Sequence, residues 1–109
     1  MDIINVNDAM ARLNNNKKLY VMLLKKFHAQ SLLDDLLGNI ESGDSAGAKA
    51  SAHTIKGLAA NLSLMDLRAK AEDIENQLKS GRISIDTSEI ELSVVQTIEA
   101  VESYIAENS

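Results

Sequence analysis

The sequence predicts an all-α protein, an antiparallel up-and-down four-helix bundle with a short extra helix at its N-terminus. Three observations carry this. Apolar residues recur at helical spacing along almost the whole chain, and no segment alternates with β-branched enrichment. Proline is absent, and aromatics make up only 3% of the residues, while alanine and leucine are plentiful, a composition that favours helix over sheet. The amphipathic runs are joined by short connections, which place successive helices side by side and antiparallel. The 109 residues suit one domain over 1–109, with no repeat or interdomain linker.

The opening helix is expected near Val6 to Leu13, capped by Asn7 or Asp8. The asparagine run at 14–16 breaks it and caps the next helix. That second helix is expected from about Lys17 to Ser42. Tyr20, Leu23, Leu24 and Phe27 make one apolar face, and Leu33, Leu36, Leu37 and Ile40 make another, turned well round the axis. Either the two halves meet different neighbours or the helix kinks near Gln30–Ser31. Gly43 suits a left-handed cap, and Asp44 caps the third helix. The third helix runs near Ser45 to Leu62, with a narrow seam of Ala48, Ala52, Ile55, Ala59 and Leu62. The segment SLMD at 63–66 has the capping-box form, with Ser63 as N-cap of a fourth helix reaching about Ser80. Leu67, Ala71, Ile74 and Leu78 form its seam, and Gly81 stops it. A short RISI loop leads to DTSE at 86–89, another box-like cap. The last helix carries Ile90, Val94, Ile98, Val101 and Ile105.

One residue resists this helical logic. Gly57 lies inside the third helix, where glycine costs about 1 kcal/mol relative to alanine. The seam continues past it, so it is not a cap. His53, one turn earlier, lies about 150° from the seam at 100° per residue and should face solvent. Lys49 stands one turn behind it, Lys56 and Gly57 one turn ahead, and Ala60 a turn further. Neutral imidazole is a good nucleophile at physiological pH. Lysines at neighbour spacing can hold an anion that joins the ring. Gly57 and Ala60 leave the surface low for a bulky partner. A phosphoryl group suits such a patch, because its transfer needs positioning and charge neutralisation above all. The inert reading stands beside this one: exposed histidines are commonly only solvated, and mid-helix glycines often serve close packing.

The stretch AHTIKGLAANLSLMDL, residues 52–67, resembles the signature of histidine-containing phosphotransfer (HPt) domains of two-component phosphorelays. His53, Lys56, Gly57, Ala59 and Leu62 match that pattern. NVNDAMARLNNNKKLYVMLLKKF resembles the family's N-terminal helix and the start of its second, so the likeness covers nearly the whole chain. The resemblance implies a four-helix bundle in which His53 is the phosphoacceptor, with Lys56 beside the phosphate and Gly57 keeping the approach open. It implies that His53 takes a phosphoryl group from a receiver-domain aspartate and passes it to another receiver; Nε2 is the ring nitrogen expected to attack the phosphorus. Response-regulator receivers, and a hybrid sensor kinase that carries one, are the implied partners. Two positions depart from the pattern. Leu58 stands where a small or polar residue is usual, and Ser63 where a glycine is usual. Ala60 and Leu64 are expected to join Gly57 and Lys49 in docking.

No carboxylate cluster is expected around His53, so no intrinsic cofactor or metal is assigned, and magnesium is expected on the receiver. No nucleotide-binding motif is present, which makes the chain a covalent carrier without turnover of its own. His28 is read as a surface residue, since no ligand spacing supports a two-histidine metal site. The net charge of −5 argues against nucleic acid as partner. Cysteine is absent, and neither a signal peptide nor a membrane span is legible, so a cytoplasmic location is expected. The start at Met1 and the polar AENS end fit a free-standing protein, although an excised domain would look alike. Two other readings use the same residues: the phosphoacceptor module of a chemotaxis-type kinase, and an adaptor bundle without chemistry.

Overall fold

A computed structural model describes residues 3–82 and 84–108; Met1, Asp2, Ile83 of the RISI loop and Ser109 lie outside the described residues. Six helices and no strand are found among them: α1 Val6–Arg12, α2 Lys17–Lys25, α3 Ala29–Glu41, α4 Ser45–Asn61, α5 Met65–Lys79 and α6 Ser88–Asn108. α4 packs between α3 and α5, α5 packs on α6, and α6 also meets α2 and α3. Their apolar stripes share one core that includes Tyr20, Leu36, Ile55, Leu67, Ile90 and Val94.

The expected second helix is two. α2 ends at Lys25 and α3 begins at Ala29, with His28 at the N-cap and no side-chain bond there. The break lies earlier than Gln30–Ser31 and uses neither proline nor glycine. Its cause is register. Leu24 and Leu33 are nine residues apart, which in a continuous helix would put them about 180° apart on the axis. Interrupting the helix lets both turn inward, where they are 1% and 4% exposed. Tyr20 on α2 donates its hydroxyl to the Leu62 carbonyl at 2.6 Å and packs edge-on against Tyr104. The end of α4 is thereby tied to α2, and burial pushes the Tyr20 hydroxyl's pKa up.

Two caps differ from expectation. α1 is capped by Asn5, whose side chain accepts from the Asp8 N–H, in place of Asn7 or Asp8. Ser63 is not an N-cap. It sits past the end of α4 at φ 58°, the left-handed position that usually takes glycine. Its N–H donates to the Ala60 carbonyl at 3.2 Å, and the Leu64 N–H donates to the Ala59 carbonyl at 2.9 Å. This paired closure is the Schellman motif, in which the second residue past the cap packs back on the helix. Leu64 is that residue and is fully buried. The Ser63 hydroxyl donates to Asp8 Oδ2 at 2.7 Å, and the Ser63 carbonyl accepts from the Asn5 N–H. α1 is thus pinned to the α4–α5 turn. The Ser63 hydroxyl, followed by Arg12, holds the Asp8 carboxyl below its ordinary range.

Other terminal signals hold. Asn16 caps α2 and Asp44 caps α4. Asn14, Gly43 and Gly81 take the left-handed conformation after α1, α3 and α5. Before α6, Asp86 accepts from the Ser88 N–H and Thr87 donates to Glu91, so the 86–89 box is not formed as written.

Candidate functional site

α4 presents its seam inward, with Ala48, Ala52, Ile55 and Ala59 buried, and this fixes the outward side. The His53 side chain is 68% exposed. Gly57 is also exposed, and a Cβ built there would meet nothing within 4 Å. The glycine is therefore not serving close helix packing, and the surface beside His53 is open. Lys49 and Ala60 are half-buried on the same side of α4. Leu64 does not belong to this surface: the Schellman closure carries it into the core, fully buried.

The structure adds a residue that the spacing of α4 could not supply. Glu75 of α5 is 3% exposed, and its Oε2 lies 2.8 Å from His53 Nδ1. Its Oε1 lies 2.6 Å from Lys56 Nζ, and Lys79 Nζ approaches Oε2 at 3.7 Å. The Lys56 ammonium first, and the His53 bond after it, outweigh burial and draw the Glu75 carboxyl down to about 2. The sequence leads to no carboxylate cluster around His53, and the structure places this single carboxylate there. The Lys56 side chain is only 26% exposed and is turned toward α5, where it pairs with Glu75 beside the ring. The sequence held a signal for Glu75. It lies four residues after Ala71 and three before Leu78, so it shares the apolar side of its helix, an unusual place for a charge without a partner.

An ionised carboxylate only accepts hydrogen bonds, so in the neutral His53 ring Nδ1 carries the hydrogen and Nε2 keeps its lone pair. Nε2 has no protein partner among the described residues. The arrangement is an exposed imidazole with its tautomer set from below, a nucleophilic nitrogen on the open side, and lysines close by.

A family model, the Hpt domain, matches residues 26–105. The chain belongs to the Hpt domain family. Hpt domains carry phosphoryl groups on histidine in two-component signalling, as carriers and not as enzymes, and they interact with response-regulator receiver domains. Comparison with curated proteins and with solved structures gives no match.

Among the described residues of this Hpt domain, no group of three or more histidine or carboxylate side chains gathers as a metal site, and His28 stands exposed at the α2–α3 break. No helix is long and apolar enough to cross a membrane.

Proposed function

We propose that this Hpt domain is a phosphorelay carrier in which His53 accepts a phosphoryl group from a receiver aspartate and delivers it to a second receiver. The observation that carries the reading is His53 itself, exposed, with Nδ1 bound to the buried Glu75 and Nε2 open to solvent. Nε2 attacks the phosphorus of the aspartyl phosphate. A P–N bond forms, the P–O bond to the aspartate breaks, and the carboxylate leaves with the electron pair. The ring keeps its Nδ1 hydrogen and gains positive charge, which the Glu75 carboxylate offsets at 2.8 Å. The second transfer reverses these steps.

Lys56 and Lys49 supply positive charge toward the arriving phosphoryl group, and Lys56 exchanges part of its contact with Glu75 for a phosphoryl oxygen. Gly57 and Ala60 leave room for the receiver. Magnesium resides on the receiver, where it screens the phosphoryl charge. The reading takes the chain as one cytoplasmic domain, 1–109, with α2 and α3 acting together as one member of an antiparallel four-helix bundle. The short connections at 42–44 and 62–64 support that topology. Incubation with charged receivers tests the function. Wild type should gain an alkali-stable, acid-labile phosphate, and His53→Gln should gain none. An adaptor without chemistry would stay unlabelled in both forms.

A further inference from the structure

Helices α2 and α6 carry opposite charge. Residues 17–26 hold four lysines and no acidic residue, whereas α6 holds five glutamates and neither lysine nor arginine. None of these side chains joins an ion pair among the described residues. On α2, Lys18, Met22 and Lys25 are all exposed and follow at steps of four and three, so they form one strip. On α6, Val95, Glu99 and Glu102 do the same, and Leu92 stands one turn before Val95. Met22, Leu92 and Val95 are 52%, 57% and 50% exposed. Among the described residues, Leu58 is the one other large apolar side chain left exposed. The two strips border one cleft of about 290 Å³ between α2 and α6. Its floor is mainly apolar, with Leu24, Phe27, Ile98 and Ile105, while Lys25 lines it from α2 and Glu102 from α6.

One face of the bundle is therefore half positive and half negative, with an apolar cleft between the halves. A partner of a single sign is attracted by one half and repelled by the other. A second copy of the chain escapes this conflict. A half-turn about an axis parallel to the helices lays each α2 strip on the other copy's α6 strip and closes the two clefts against each other. We infer that this chain self-associates through its α2–α6 face as a two-fold dimer. Such a contact is isologous, so it closes at two copies. Exposed ion pairs contribute little singly. The clefts, with Met22 and Val95, supply apolar area to bury, and the charges fix which strip meets which. His53 stays free in this arrangement. It sits on α4 and is bonded to Glu75 of α5, whereas α6 meets α2 on the opposite edge of the bundle. The dimer thus presents two His53 rings facing away from each other. Assembly by this face is independent of what His53 carries.

Sedimentation velocity of the full chain, from about 10 μM to about 1 mM, tests this. At low salt, wild type should pass from monomer to dimer across that range. In about 0.5 M salt the dissociation constant should rise about tenfold, because charge is then screened over a few ångströms. Two double variants make the decisive comparison. Lys18→Glu with Lys25→Glu turns the face wholly acidic, and Glu99→Lys with Glu102→Lys turns it wholly basic. Each alone should stay monomeric over the whole range. The basic variant should do so although its net charge lies closer to zero, a change that by itself favours association. Mixed in equal amounts, the two should form a heterodimer at least as tight as the wild-type dimer. Val95→Asp should dissociate the wild-type dimer, and Arg82→Glu, after α5 and away from the face, should leave it intact. Every substituted residue is exposed, and circular dichroism verifies that each variant is folded. A wild type that stays monomeric throughout overturns the inference. So does a dimer that survives both double variants, or one that Leu58→Asp dissociates and they do not, which places the contact elsewhere. Failure of the two folded double variants to combine overturns it as well.

Discussion

Replacing Glu75 by glutamine separates the charge of this residue from its hydrogen bond. The amide oxygen can still accept from Nδ1, so the His53 tautomer should survive. What is lost is the negative charge beside a ring that the proposed phosphorylation at Nε2 would make cationic. Two unit charges about 4 Å apart interact by about 4 kcal/mol at an effective dielectric constant of 20. His53 is 68% exposed, so solvent screening reduces this to roughly 1–2 kcal/mol. That range corresponds to a slowing of about five- to thirtyfold. Glu75→Ala removes the acceptor as well and should slow transfer further. The assay is single-turnover transfer from one charged receiver. It is paired with ¹⁵N NMR of the His53 ring, which reports the hydrogen's position directly. The expected order of rates is wild type, then Glu75→Gln, then Glu75→Ala, with the Nδ1–H tautomer kept in glutamine and lost in alanine. A merely structural Glu75 would leave the tautomer unmoved in the alanine variant. That outcome, or wild-type transfer in both variants, would refute the role given to Glu75.

Four further predictions concern Glu75, Gly57 and Ser63. The Glu75 carboxyl is lowered from its ordinary 4.5 to about 2, so between these values the unfolded chain binds more protons and stability rises with pH. The stability advantage of wild type over Glu75→Gln should be complete above pH about 5 and fade as pH falls toward 2, measured by urea unfolding across that range. Gly57→Ala should stabilise the fold by about 1 kcal/mol, because its Cβ meets nothing within 4 Å. Gly57→Gln should retain full helicity by circular dichroism yet slow receiver transfer, and normal transfer would defeat the claim that the bare strip admits the partner. Ser63→Gly should be more stable than Ser63→Ala by about 1 kcal/mol, since only glycine holds φ near 58° without a Cβ clash. Both variants lose the hydroxyl bond to Asp8, so that bond cancels in the comparison, and equal urea midpoints would contradict the left-handed assignment.

Much of this was legible where the physics is local. Asn16, Gly43, Asp44 and Gly81 act through their own backbone and short side chains, and sequence displays such signals directly. The exposure of His53 followed from the inward seam of α4, which needs only helical periodicity. What escaped depends on contacts between elements. Ser63 looked like an N-cap because hydroxyls cap helices, but its conformation is set by how α4 closes, and that closure buries Leu64. The break after Lys25 has no proline or glycine to announce it. Its sole signal was the half-turn mismatch between Leu24 and Leu33, which a second neighbour would have explained equally well. Glu75 reaches His53 from another helix, 22 residues away, and no spacing within α4 points to it. The charged residue on the apolar side of α5 was the clue, and it becomes meaningful once α5 is laid against α4.

The proposed phosphorelay requires a phosphoryl group to join one particular nitrogen, Nε2 of His53. Phosphorus NMR on the ¹⁵N-histidine-labelled protein, charged by a receiver, reads this directly. A phosphoramidate signal coupled to Nε2 of His53, and absent from His53→Gln, is the predicted result. Phosphate on Nδ1, on His28 or on an oxygen would contradict it.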